Sequence, residues 1–160
     1  QGVTHALLAF GNCAARLRLA DALAANGFAL ATAIHPRAVV AGDASVGPGT
    51  VVAAGAIINP GAAVGANAIV NTGAIVEHHC VVGDGAHLCP AAALAGQAAI
   101  GRGAWVGIGA TVKEKVSIGD GAFIGAGAVV LDPIPAHTVA YGVPARVVRP
   151  TCEGGSLAAA

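Results

Sequence analysis

Two adjacent histidines, His78 and His79, interrupt a stretch whose neighbours are almost all small or aliphatic. They lie in the hexapeptide Val76-Glu77-His78-His79-Cys80-Val81, at positions where flanking hexapeptides carry Gly, Ala, Asp or Pro. Imidazole is the side chain best suited to take up a proton near neutral pH. A third histidine, His87, lies in the last position of the next hexapeptide. Gly96 stands three hexapeptides beyond His78, and Gln97 the same distance beyond His79. Should three hexapeptides make one turn of the chain, the His78 corner meets a residue with no side chain. A base beside an exposed backbone N–H suits acyl transfer. The imidazole takes the proton of the nucleophile, and the N–H stabilises the oxyanion. Glu77 is adjacent, with a side chain expected to leave from another face. Cys80 fills a small-residue position and reads as packing, since an apolar setting raises a thiol's pKa.

The elements that must position these groups are set by a repeat. From Ile34 to Val130 an aliphatic residue recurs every six positions, through Val76, Val82, Leu88, Leu94 and Ile100, for seventeen hexads without a slip. Four positions after each comes a residue that is mostly Ala, as in Ala74, Ala86 and Ala98. Turn residues lie between, as in Gly47-Pro48-Gly49 and Gly83-Asp84-Gly85. A period of six fits neither a helix nor a long alternating strand. It fits short strands joined by tight corners, the signature of a parallel β-helix. Three hexads per coil predict a triangular prism in which every third hexad stacks on the first. Composition agrees. The 160 residues include 40 Ala and 24 Gly with only 3% aromatics, which excludes a layered core of large side chains.

Residues 1–33 lie outside the repeat. His5 to Phe10 reads as a strand, Arg16 to Asn26 as a helix stopped by Gly27, and Phe28 to Ile34 as a second strand. This is a partial α/β unit, akin to the second half of a nucleotide-binding domain whose first half is absent from this chain. The sequence therefore divides into that unit (1–33), the hexapeptide-repeat β-helix (34–135), a closing segment (136–150) and a tail (151–160) expected to be disordered. Eight basic and eight acidic residues cancel, which argues against nucleic acid as a partner. No apolar run reaches the ~18 residues of a membrane span, and no signal peptide is visible. The four cysteines show no CxxC spacing and read as free thiols of a cytoplasmic protein. His5, His35 and His137 have no supporting neighbours and read as structural or surface residues.

The run from Asn71 to His87, with Gly96 and the closing Gly142-Val143-Pro144-Ala145-Arg146, resembles the hexapeptide-repeat acyltransferases that modify sugars. The similar subgroup contains the sialic acid O-acetyltransferases and the nucleotide-linked 4-amino-sugar N-acetyltransferases. The resemblance covers residues 3–149. It implies a left-handed parallel β-helix, a homotrimer, and acetyl-CoA held in a groove between neighbouring prisms. It implies that His78 is the general base for direct attack by an amine or hydroxyl of a sugar or sugar nucleotide. His79 stands where the family commonly has Asp or Glu, so the usual orienting carboxylate is replaced by an imidazole. His87 would lie near the acetyl thioester. Backbone groups of Gly96, Ile108 and Ala126 would line the cofactor groove, and Asn71 would face the acceptor. No metal is expected. The family's Gly-rich nucleotide loop falls in the absent first half of the N-terminal unit, which leaves either a longer protein or a simpler acceptor.

Two other readings stay open on sequence. One is a metal enzyme on the same prism, as in the γ-type carbonic anhydrases, with three histidines at a subunit interface around Zn²⁺. The other is a hexapeptide-repeat scaffold without catalysis.

Overall fold

The computed structural model describes residues 2–151. The tail from residue 152 onward, with Cys152, lies outside the described residues. The chain opens with β1 (His5–Ala6), α1 (Cys13–Ala25) and β2 (Ala29–Leu30), and β1 pairs with β2 in parallel. The helix begins ahead of Arg16, at Cys13, because Asn12 caps it: its Oδ1 accepts the N–H of Ala15 at 2.9 Å. Asn26 and Gly27, with φ at +79°, close it. Both expected strands are shorter than the sequence suggests. His5–Phe10 keeps only two strand residues, and Phe28–Ile34 splits between two sheets, since Ala33–Ile34 pairs with Val51–Val52 of the solenoid.

From Ala33 to Val130 run seventeen two-residue strands, one in each hexad. They form three parallel sheets. Paired residues are three hexads apart, as in Ile75 with Ala93, Val81 with Ala99 and His87 with Trp105. The result is a left-handed parallel β-helix of about six turns, preceded by a βαβ unit. The first face starts at Ala33–Ile34, the second at Val39–Val40 and the third at Ser45–Val46, and each recurs at every third hexad. Inside, one aliphatic side chain per hexad points to the axis. Val76, Val82, Leu88, Leu94, Val106 and Val112 are all buried, and Ala74, Ala86, Ala92 and Ala98 fill the corners. Each such Val or Leu contributes about 1.5–3 kcal/mol on full burial. At the far end Thr138–Gly142 pairs with Phe123–Ile124, turns back as Ala145–Pro150, and covers the core with Ala140 and Ala145.

The corners explain the spacing of glycine and proline. From the third corner on, the third residue of each four-residue corner takes a left-handed φ, and nine of the fourteen from Gly49 to Gly127 are glycine. His79, Gln97 and Lys115 adopt the same conformation with side chains attached. Their N–H groups donate down the stack: His79 to the carbonyl of Pro60 at 3.0 Å, Gln97 to that of His78 at 2.9 Å. The second corner residue has no such axial bond, so Pro48, Pro60 and Pro90 sit there without loss of a donor. At Gly127 φ is +64° and nothing lies within 4 Å of an added Cβ. Gly127→Ala therefore isolates the backbone effect and is expected to lower stability by about 1 kcal/mol in urea denaturation. An unchanged midpoint would mean that corner conformation contributes nothing measurable.

Candidate active site

Three edges join the faces. The second, between faces two and three, carries His78 and His79. There the ring of His78 leans toward the following coil, where a Cβ on Gly96 would lie 2.5 Å from its Nε2. The ring of His79 leans toward the preceding coil, where a Cβ on Gly61 would lie 2.9 Å from its Cδ2. Between the rings the two Nδ1 atoms meet at 3.1 Å, with the ring planes 82° apart. One Nδ1 must carry the proton and the other accept it. If His78 donates, its Nε2 is a lone pair facing the space left by Gly96. Glu77 turns its carboxylate back onto this corner, against the sequence expectation, and accepts the N–H of His78 at 3.1 Å.

Asn71, Ile108 and Ala126 lie on the first edge, between faces one and two. Ile108 is exposed, and a cleft of about 650 Å³ opens beside Thr72. Within one chain the sequence-assigned residues thus fall into two columns, His78, His79 and Gly96 on one edge and Asn71, Ile108 and Ala126 on another. Gly96, Ile108 and Ala126 nevertheless share one property. Each is a second corner residue whose N–H finds no acceptor among the described residues. Ala54, Asp84 and Glu114 share it too, so the free donor is a property of the corner, and the neighbouring side chains decide its use.

His87 projects outward from the first face but is buried. It tilts against Trp105 with ring centroids 4.3 Å apart, and Trp105 stacks on Phe123 at 5.6 Å. Its Nε2 lies 3.2 Å from Nδ2 of Asn71 and its Nδ1 3.5 Å from the carbonyl of Gly11. Oδ1 of Asn71 accepts the N–H of Thr72 at 2.8 Å, so Nδ2 is the group turned to His87. The network therefore assigns His87 as the Nδ1–H tautomer with an accepting Nε2. Burial, the largest cause, pushes its pKa down to about 4, the Gly11 carbonyl opposes this, and the Arg16 charge adds to it.

Arg16 is the residue that sequence reasoning missed. It is fully buried between α1 and the prism. Its Nε donates to the carbonyl of Asn67 at 2.9 Å, Nη1 to Phe10 at 2.8 Å and Gly11 at 3.3 Å, and Nη2 to Gly85 at 2.7 Å and Ala86 at 3.3 Å. Asn67 returns a bond from Nδ2 to the carbonyl of Arg16 at 3.0 Å. The signal was its spacing. Cys13, Arg16 and Ala20 share one helix face, and all three are buried. Burial raises the thiols of Cys13, Cys80 and Cys89, the last to about 12, so none is a ready nucleophile. Among the described residues no three His, Cys, Asp or Glu side chains converge as a metal site. No helix among them is long and apolar enough to cross a membrane.

A prism with a histidine pair over a side-chain-free corner and rows of free N–H groups defines an acyl-transfer scaffold, and comparison with known proteins agrees. Residues 98–132 match the family model of the bacterial transferase hexapeptide (six repeats). A search of curated proteins finds no match. Among solved structures the chain is similar to PerB from Caulobacter crescentus, solved with CoA and GDP-perosamine. The two are 42% identical with a TM-score of 0.91, over 92% of this chain and 72% of that one. The acetyltransferase domain of PglB from Neisseria gonorrhoeae is 37% identical with a TM-score of 0.86, over 89% of this chain and 69% of that domain's chain. A maltose O-acetyltransferase from Clostridium difficile is 29% identical with a TM-score of 0.62, over 68% of this chain and 70% of that one. The chain belongs to the hexapeptide-repeat sugar acetyltransferases.

The depressed pKa of His87 has a consequence for stability. Between pH 6.5 and about 4 the unfolded chain binds a proton there that the folded chain refuses. The contribution is complete above pH 6.5 and is lost as pH falls toward about 4. The wild type is expected to lose thermal stability across that window more steeply than His87→Gln, whose neutral side chain cannot titrate. Parallel pH profiles would show that His87 is not held neutral by its burial.

Proposed function

We propose that this chain transfers the acetyl group of acetyl-CoA to the amine of a nucleotide-linked amino sugar, with His78 as general base. The observation that carries the reading is the His78–His79 contact of 3.1 Å, which leaves the other nitrogen of His78 over Gly96. The solved complex of PerB with CoA and GDP-perosamine supports the same substrate classes.

The lone pair of the sugar amine attacks the thioester carbonyl carbon. As the C–N bond forms, Nε2 of His78 takes the amine proton, and the imidazolium keeps its Nδ1–H on Nδ1 of His79. A free corner N–H, that of Gly96 being nearest to His78, donates to the developing oxyanion. Collapse of the intermediate breaks the C–S bond, and the proton on His78 passes to the departing CoA sulfur. A base so placed contributes roughly 10²- to 10⁴-fold.

The two columns belong to one site if the second edge of one copy faces the first edge of another. That arrangement is the homotrimer proposed here, with acetyl-CoA between the prisms. His87 and Asn71 of one copy would then face His78 of its neighbour. Acetyl-CoA is made and used in the cytoplasm, so the enzyme is placed there.

Calorimetry with acetyl-CoA and turnover with GDP-perosamine test this reading. His78→Ala is expected to lower kcat about 10²- to 10⁴-fold with acetyl-CoA affinity nearly unchanged. Absence of binding at millimolar acetyl-CoA would overturn the proposal. The pair makes a separate prediction. His79→Ala removes the acceptor that fixes the tautomer of His78 and is expected to lower kcat about tenfold, while His79→Glu restores it and moves the acid limb of the profile to higher pH. Equal activity of all three proteins would leave His79 without a catalytic part.

A further inference from the structure

The N-terminal unit reaches His87 through the loop that carries Gly11. Gly11 sits directly on the aromatic column of the first face: a Cβ there would lie 3.4 Å from Trp105 and 3.7 Å from Cε1 of His87. Its carbonyl is held from behind by Nη1 of Arg16 at 3.3 Å and faces Nδ1 of His87 in front. Beyond His87 the contacts continue to Asn71 and from Asn71 to the N–H of Thr72. Among the described residues Arg16 has no carboxylate within ion-pair distance; its guanidinium is spread over backbone carbonyls of both units. A group so placed fixes the position of those carbonyls relative to one another.

We propose that Arg16 is a positioning residue for acetyl transfer: by locking the Gly11 carbonyl over His87, it holds that imidazole as the Nδ1–H tautomer, whose Nε2 accepts from Asn71 and so fixes the Asn71 amide beside the bound substrates. Docking of α1 and competence of the site are then one event. The inference rests on the reading of His87 and Asn71 as site residues. The charged group that acts on His87 is Arg16, and no carboxylate among the described residues is bonded to the ring in place of the Gly11 carbonyl.

A purely structural clip is the competing explanation, and Leu17 supplies the control. Leu17 packs the same helix against the prism, over Gly85 and Gly103, with no polar contact to His87. The test compares the wild type with Arg16→Lys, Gly11→Val and Leu17→Ala by nitrogen NMR of the imidazole rings and by steady-state kinetics with acetyl-CoA and GDP-perosamine. Lysine keeps the charge but cannot reach five carbonyls; a valine at 11 carries two methyl groups beyond a Cβ already in contact with Trp105 and His87, and so disturbs the seat with Arg16 intact. Both are expected to mix the His87 tautomers, move its titration midpoint further below about 4 because the Gly11 carbonyl contact that raises it is lost, and lower kcat/KM about tenfold or more. Leu17→Ala is expected to lower the melting temperature with the His87 spectrum unchanged. Should Arg16→Lys fail to fold, Gly11→Val decides alone. A wild-type tautomer and midpoint in the folded variants would overturn the proposal, as would altered His87 spectra with wild-type kcat/KM. If the wild type itself transfers no acetyl group, the NMR arm still reports on the lock while the transferase reading fails separately.

Discussion

Every position in the prism is fixed by the backbone hydrogen bond between residues one coil apart. The ladder ties Ile75 to Ala93 and Ala93 to Thr111, and nothing in the interior is free to slip, because a shift by one residue would turn each inward Val or Leu outward. Side chains therefore stand in columns along the axis. A column can hold a repeated role, as the buried Leu88 and Val106 do, or an exception. The reactive geometry is made from exceptions. His78 has room because the residue directly over it is Gly96, and His79 because the one beneath it is Gly61. The site is the place where the stacked corners leave space on both sides.

A second constraint concerns polar burial. The prism commits its backbone groups to its own ladder, and only the corners leave some over. The N-terminal unit docks by using them. Arg16 alone reaches Asn67, Gly85 and Ala86 on the prism and Phe10 and Gly11 on its own side. Desolvating a guanidinium costs several kcal/mol, and charge-assisted bonds return about 1.5–3 kcal/mol each. Five acceptors make that exchange workable without a carboxylate. Lysine offers three donors from one point and cannot span the same set. The side chain whose charge would be awkward in a solenoid is thus the one that joins its two parts.

The solenoid is legible because its signal repeats. One hexad with Val and Ala says little, but seventeen in register leave no other fold. The columns follow from arithmetic, which alone places Gly96 over His78. Spacing does not reveal anything that depends on direction rather than register. The reach of Arg16 across 51 positions to Asn67 has no periodic mark, and its helix face is short. Strands in the N-terminal unit come out too long from sequence because Phe28 to Ile34 is almost uniformly apolar, and an apolar run does not show where one sheet hands over to another. The Glu77 carboxylate folds back on the N–H of His78 instead of leaving from another face, through a local bond that spacing cannot reveal.

The corner at His79 shows how chemistry and stability are weighed in such a fold. Most residues at that position are glycine, which takes a left-handed φ at no steric cost. His79 takes it at 57° with a full side chain, and residues in that region cost of order 1–3 kcal/mol. The strain brings the two Nδ1 atoms together. A carboxylate in the same place would add a negative charge beside the base; an imidazole adds an acceptor without one. In the proposed reaction the charge of the developing imidazolium would then be met by a dipole. On the proposed reading, the exchange of acid for histidine replaces a charged partner of the base by a neutral one, at a corner whose left-handed backbone sets the two rings side by side.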